Sequence, residues 1–387
     1  MLTEQQGVDD RDPPVRGALI VRAPADFDLH GLAGVRVVDG DDADVAAVAA
    51  QLGPLLRRLD REPDILIRFV DRIEHGSRLR YLGARDAGWT DDGFFVLRSR
   101  KQPVVVRLPM DRIGGTCEIV AERGVPAIPF LIAVLNLTVL GNGALPLHAA
   151  AFELDGVGTL VTGWSKGGKT ELLMAAVGAG ARYIGDEWVY LTTDGTMRGI
   201  PEPIRLWDWH LDQLPSARAR LGLGDRVKLR GIPALRRVDR ATPRRLRRFP
   251  PNRLLHRAMP ILEGQLHVDM PPERLFGPLG ALIGSVDRIL FTVSAAGPET
   301  TVEPIEAVDV ARRMAASLAY ERNDLLLLWH QARFTDPDLQ NEHLETLETR
   351  QRDLLERILA GRPAWVVTHP YPVDLAVLFE SVRPVLR

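Results

Sequence analysis

Gly158-Thr159-Leu160-Val161-Thr162-Gly163-Trp164-Ser165-Lys166-Gly167-Gly168-Lys169-Thr170-Glu171-Leu172-Leu173 runs an apolar, β-branched segment into a glycine-rich turn and then into a helix-forming segment. Gly163-x-x-x-x-Gly168-Lys169-Thr170 fits the pattern of a phosphate-cradling loop between a strand and a helix. The glycines let backbone N–H groups turn inward around phosphate oxygens, the helix N-terminus adds its positive dipole end, and Lys169 supplies a full charge. In this reading Gly163, Trp164, Ser165, Lys166, Gly167, Gly168, Lys169 and Thr170 hold a nucleotide, with the Thr170 hydroxyl on a magnesium ion. Lysine occurs only four times, at 101, 166, 169 and 228, and two of those lie in this loop. A chain that otherwise relies on arginine has placed a compact point charge here.

Around the loop, chemistry-bearing residues gather at short sequence distance. Residues 147–154 and 158–162 read as paired strands about the Asp155-Gly156 turn, and His148 lies near the start of the first. After a helix expected over 171–178, Arg182-Tyr183-Ile184-Gly185-Asp186-Glu187 is an apolar strand ending in two acids. One carboxylate of such a pair can hold a metal while the other accepts a proton from a hydroxyl. One short helix separates this strand from the loop, so the two strands are expected side by side with their C-terminal ends together. Glu171 reads equally as a metal-shell acid and as an acid favoured by the helix dipole.

Farther out, 387 residues suggest more than one domain, and 45% apolar with 26% charged residues is ordinary globular composition. No apolar run is long enough to cross a bilayer; the nearest, 128–140, is interrupted by Pro129 and Asn136 and reads as a buried helix. A single cysteine, Cys117, excludes a disulfide framework and a cysteine-based zinc cluster. A polar, acidic start makes residues 1–14 an expected disordered segment and the cytoplasm the expected compartment. Short strands at 17–22, 64–73, 93–98 and 103–108 and a helix at 44–59 make 15–125 an α+β domain without a chemical motif. Later, 265–268 and 288–293 read as strands, the first helping to close the sheet, and 308–322, 341–361 and 373–386 as helices around a short strand at 365–367. The net charge of −2 gives no pull toward nucleic acid. Twelve Lys and Arg residues nevertheless fall between Arg226 and Arg257, an expected flexible insertion that could face an acidic partner.

Together, His148, the 163–171 loop and Ile184-Gly185-Asp186-Glu187 resemble the catalytic domain of HPr kinase/phosphorylase. That family's loop reads G-x-S-G-x-G-K-S-E, with a histidine before it and an Asp-Asp pair after a short helix. The resemblance implies an α/β fold for 126–387: a mixed-sheet P-loop domain similar to phosphoenolpyruvate carboxykinase. It implies ATP and Mg²⁺, with phosphoryl transfer to a serine or threonine hydroxyl of a protein or peptide. By position Asp186 would be the general base, with His148 and Lys169 at the reacting phosphate and Thr170, Glu171 and Glu187 around the metal. A homo-oligomer is implied by the same analogy, and no membrane partner is. Lys166 stands where the family has glycine, Thr170 where it has serine and Glu187 where it has aspartate. The family's downstream L-E-I-R-G-L-G segment has as its nearest matches Leu229-Arg230-Gly231-Ile232 and Pro203-Ile204-Arg205-Leu206. Two alternatives to the peptide or protein kinase are a kinase of a small hydroxylated metabolite and a nucleotide-binding regulator without transfer.

Overall fold

Alternating burial of β-branched residues builds a first, eight-stranded sheet. β1 (Ala25–Leu29) and β2 (Ala33–Val38) form an antiparallel hairpin, and α1 (Asp42–Leu52) starts at Asp41, whose carboxylate accepts from the Ala43 and Asp44 amides while Asp44 reaches back to the Asp41 amide. The helix stops at Leu52 rather than at the expected 59 because Gly53 turns to φ 72°. β3 (Ile65–Val70) buries Ile65, Ile67 and Phe69 on one face. β4 (Arg80–Leu82), β5 (Ala87–Thr90), β6 (Gly93–Ser99), β7 (Gln102–Leu108) and β8 (Cys117–Glu122) complete the order β1-β2-β3-β8-β7-β6-β5-β4. This computed structural model describes residues 23–53, 55–99, 102–243, 245 and 249–387; the expectations for 1–14, for 17–22 and for Arg244, Arg247 and Arg248 lie outside them.

α2 (Leu131–Gly141) is buried almost all round, as the predominantly apolar composition of 128–140 requires, and its Asn136 accepts a 2.9 Å hydrogen bond from the Tyr190 hydroxyl. β9 (Leu145–Leu154) and β10 (Val157–Gly163) then make an antiparallel pair, α3 (Lys169–Gly178) follows the loop, and β11 (Arg182–Gly185), β12 (Trp188–Leu191), β13 (Thr196–Gly199) and β14 (Ile204–Trp207) come next. α4 (Asp208–Gln213), α5 (Pro215–Ala219), α6 (Leu223–Ala241) and α7 (Pro250–Glu263) lead to β15 (His267–Met270) and α8 (Pro272–Phe276). The chain ends with β16 (Ile283–Ser285), β17 (Arg288–Ser294), β18 (Thr301–Pro304), α9 (Ala307–Glu321), α10 (Asn323–Thr335), α11 (Glu342–Glu345), α12 (Leu347–Leu359), β19 (Ala364–His369) and α13 (Leu375–Val382). The second sheet has nine strands in the order β16-β13-β12-β9-β10-β17-β19-β18, with β11 on β9; β10, β17 and β19 are mutually parallel in sequence and the remaining pairs antiparallel. The chain is thus mixed α/β with two large mixed sheets.

Three expectations need correction. β10 and β11 are not neighbours: β9 lies between them, antiparallel to both, so their C-terminal ends still point the same way. β15 does not close the large sheet but pairs with β14 in a separate two-stranded ribbon. The described part of 226–257 is not loop: α6 and α7 occupy it, because arginine is a good helix former and Leu229, Ile232 and Met259 supply a buried face. The expected boundary at 125/126 is also not a break in packing. One apolar core runs from Val35, Ile67 and Ile119 through Leu135 and Val139 to Leu147, Ile289 and Leu355. A second, on the other face of the nine-stranded sheet, joins Val161, Leu172, Leu173 and Ala176 to Leu206, Val367 and Leu378. No helix among the described residues is long and apolar enough to cross a membrane.

Asn341 ties the two sheets' halves directly. Its buried side chain donates to the carbonyls of Met110 (2.9 Å) and Ile113 (3.0 Å) and accepts from the Leu344 amide (3.2 Å) as the cap of α11. Asn341→Ala strips three hydrogen bonds and strands two carbonyls, so it is expected to lower the unfolding free energy by about 3 kcal/mol in a urea titration. A loss under about 1 kcal/mol would mean that the apolar core alone holds the junction.

Candidate functional site

A one-residue register shift between Tyr183 and Gly185, where β11 meets β9, precedes the acid pair. β11 pairs with the far half of β9, leaves it at Gly185, and the chain returns as β12 against the near half, with Tyr183 opposite Phe152 and Trp188 opposite His148. Asp186 and Glu187 are the residues between. Glu187 takes φ 63°, its carbonyl still accepts from the Ala149 amide (3.1 Å), and the Trp188 amide turns back onto the Asp186 carbonyl (2.8 Å). On the other side of β9, Ala149 is opposite Thr162, the residue before the glycine that opens the loop. The acid pair and the loop therefore lie level, two strand spacings apart, roughly 10 Å.

That gap is bridged by side chains. The Thr170 hydroxyl, in the first turn of α3, donates to Asp186 (3.0 Å to Oδ2, 3.3 Å to Oδ1). Lys169, 5% exposed, folds back over its own loop and donates to the carbonyls of Trp164 (3.0 Å) and Gly163 (3.4 Å). Burial lowers its pKa against the pull of Asp186, Glu187 and Glu321. Asp186 is 2% exposed; burial, then the neighbouring Glu187 charge, raises its carboxyl to about 7. Glu187 is held below the usual range, first by its hydrogen bond to His148. His148 stands between two carboxylates, Nε2 at 3.0 Å from Glu187 and Nδ1 at 2.7 Å from Glu321, with its ring tilted on Trp188. Burial opposes a charge on it, but the two carboxylates prevail and bring its pKa to about 8.

The loop itself is propped from beneath. His369, fully buried at the end of β19, places Nε2 at 3.0 Å from the Gly167 carbonyl. Gly168 sits at φ 105°, and a Cβ there would meet His369 Nε2 at 1.9 Å, so both backbone and space demand glycine. Lys166, exposed at the loop tip, adopts φ 61°, a conformation that costs an L-residue about 1 kcal/mol and that a glycine would adopt freely. Trp164 is half exposed and lies on Tyr320 of α9, ring centroids 5.1 Å apart.

Of the expected metal residues, Thr170 is bonded to Asp186, Glu187 to His148, and Glu171 to His210 Nε2 at 3.1 Å. The Trp207 amide donates to His210 Nδ1 (3.1 Å), so Nε2 carries the proton given to Glu171. Among the described residues no three of His, Cys, Asp and Glu already form a metal cage. A pocket of about 520 Å³ contains all the catalytic and metal expectations, and it excludes Gly163 and Trp164 of the loop. Arg205, Trp207, His267 and Tyr371 also line it. Of the two segments 203–206 and 229–232 singled out in the sequence, Arg205 is in the wall while Arg230 is exposed on α6. Residues outside the sequence reading are Glu321, His369, His210 and Glu202. Glu202 is buried enough, and close enough to Glu187 and Asp186, for its carboxyl to rise to about 8, and its Oε1 has no partner among the described residues. No protein-family model matches the sequence, and no curated protein matches it.

Two consequences can be measured. Gly168→Ala is expected to leave the fold intact by circular dichroism yet weaken binding of a fluorescent ATP analogue at least about tenfold, because the loop must move off His369. His148, raised in the folded state from 6.5 to about 8, contributes stability that is complete below pH 6.5 and is lost as pH rises through 8, about 2 kcal/mol in all. The fall in unfolding free energy between pH 6 and 9 should therefore shrink by that amount in His148→Gln.

Proposed function

We propose that this chain is an ATP-dependent kinase that transfers the γ-phosphoryl group to a serine or threonine hydroxyl of a protein or peptide. The observation that carries this reading is the Thr170–Asp186 hydrogen bond, which sets a phosphate-loop hydroxyl and an acid from a separate strand against each other beside Lys169. A loop used only to bind nucleotide has no need of Glu187, His148 and Glu321 in an unbroken chain of ion pairs next to that contact.

The residues fit a magnesium ion. Thr170 and Asp186 offer a hydroxyl and a carboxylate together, both oxygen donors, and Glu202 leaves a carboxyl oxygen without a partner among the described residues close to Asp186 and Glu187. Thr170 and Asp186 would hold the ion, which would supply neutralisation of phosphate charge. Lys169 would exchange the Gly163 and Trp164 carbonyls for phosphate oxygens, so that its charge is released from the loop when nucleotide arrives. His148, held by Glu187 and Glu321, lines the same pocket as Lys169 and Asp186, and its positive charge would act on the transferring phosphoryl group. The acceptor's proton passes to the Asp186–Glu187 pair, whose raised member can hold a proton near neutral pH. Arg205 on the opposite wall adds a second positive group at the cleft mouth. Each of these acts by position and charge, which is most of what phosphoryl transfer asks of a protein.

The test is incubation of the purified chain with γ-labelled ATP, Mg²⁺ and a serine- and threonine-containing peptide library, beside Asp186→Asn. Label on peptide from the wild type, reduced about 10³-fold in the variant with ATP analogue binding kept, is the expected result. Nucleotide binding with no transfer to any peptide would defeat the proposal, and label on small alcohols alone would redirect it to a metabolite kinase.

A further inference from the structure

α6 and α7 carry two opposite faces, and only one of them has a partner. On α6, Leu229 and Ile232 are buried, whereas Leu223, Val227 and Val238 are exposed to solvent, Leu223 by 81%. At 100° per residue those three lie within about 60° of one another, a single stripe pointing away from the protein. Beside it Arg226, Arg230 and Arg237, at i, i+4 and i+11, make a parallel row. α7 repeats the arrangement in shorter form, with Leu254 and Ile261 exposed by 71% and 68% at i and i+7, and Arg253 and Arg257 flanking them. None of these five arginines makes an ion pair with a carboxylate among the described residues; Arg226 is bonded to the Ala219 carbonyl. Isolated exposed leucines are ordinary, but an apolar stripe with an unneutralised arginine row on each of two packed helices is a surface shaped for a partner.

The hairpin is rooted at the candidate site. The two helices are cross-linked by His256 to Asp239 (3.2 Å) and Arg236 to Glu263 (4.0 Å). Lys228 on α6 donates to the carbonyl of His267 (2.6 Å), and His267 together with Gly264, the cap of α7, lines the pocket that holds His148 and Asp186. α6 is about 28 Å long, so whatever lies along its exposed face and continues past its root enters the cleft. We propose that this face docks an acidic segment of the acceptor polypeptide, its carboxylates on the arginine rows and its leucine-like side chains on the stripes, and delivers the hydroxyl to the pocket. The occupant follows from complementarity: the face is basic and apolar, and a chain extending from it into the cleft must be a polymer. An anionic bilayer shares the charge and the apolar contacts but has no part that can reach His148. The proposal rests on the kinase reading for what happens in the cleft, and not for the docking itself.

The probe is a fluorescein-labelled 20-residue peptide with Glu and Leu at helical spacing and no hydroxyl side chain, read by anisotropy against the full chain. Its Lys-for-Glu counterpart is the control. Wild type is expected to bind the acidic probe and not the basic one, with an affinity that falls as salt is raised. Arg230→Glu/Arg237→Glu and, independently, Leu223→Ser/Val227→Ser are expected to weaken binding at least tenfold, while Arg230→Lys/Arg237→Lys keeps most of it. All these positions are exposed, and unchanged circular dichroism and ATP-analogue binding confirm that each variant is folded. No binding to wild type, or equal binding by both disruptive variants, overturns the proposal. So does sedimentation of the wild type with phosphatidylserine vesicles, lost in the same variants, when the peptide does not bind. A serine-bearing version of the probe then separates the two readings: KM raised tenfold with kcat kept in the Arg→Glu variant supports both, whereas binding without label on any peptide supports docking and removes the kinase.

Discussion

Asp186 can reach Thr170 only because the strand that carries it breaks step. The break is a one-residue register shift between Tyr183 and Gly185: Tyr183 pairs with Phe152 and Gly185 with Ala151, so Ile184 is the extra residue, and the side chains beyond it exchange faces. From Gly185 the chain keeps the new register to Trp188 opposite His148, with Glu187 in a left-handed conformation and its carbonyl held in the sheet by the Ala149 amide. Everything else in the site is indexed to that kink: His148 by its pairing with Trp188, the loop by the register of Ala149 with Thr162, and α3 by the direction in which the loop leaves β10.

The electrostatic consequence is an excess of acid around few cations. Asp186, Glu187, Glu202 and Glu321 converge on a region whose buried positive groups are Lys169 and His148. Glu321 is the more telling because it ends α9, where the helix dipole disfavours a negative charge and a stability-driven sequence would place Lys or Arg. Its hydrogen bond to His148 offsets that cost locally and keeps the imidazole charged near neutral pH. Under the proposed reading, a divalent cation entering the site would offset part of that negative charge.

What the sequence made legible was what is local. The loop, its flanking strand and helix, and the acid pair are contained in thirty residues, and glycine spacing, β-branched runs and a strand ending in acid are readable without a fold. What it concealed was non-local or composition-masked. Glu321 meets His148 across 173 residues and His369 meets the loop across 202, and neither residue type nor neighbours set them apart in the chain. The order of strands was misjudged because a short helix between two strands fixes their direction but not whether a third has already taken the place between them. α6 and α7 were masked by their charge density, and Pro233 and Pro260 are tolerated within these amphipathic segments. The apolar residues were at helical spacing all along, with the charge density reading as loop.

The ribbon of β14 and β15 sets the helical hairpin next to the 163–170 loop. The two strands stand apart from the nine-stranded sheet, and through Arg205, Trp207 and His267 they form the wall of the pocket opposite the acid pair. Arg205 is bonded to Asp269 across the ribbon, so a charge facing the cleft is oriented by the same two strands that hold α6 and α7 between their ends. A chain segment lying on the hairpin would therefore act on the position of Arg205 through one short antiparallel pair, not through the body of the protein. Because α6 and α7 lie between β14 and β15, a partner docked on them would leave the loop, α3 and the β9 register undisturbed.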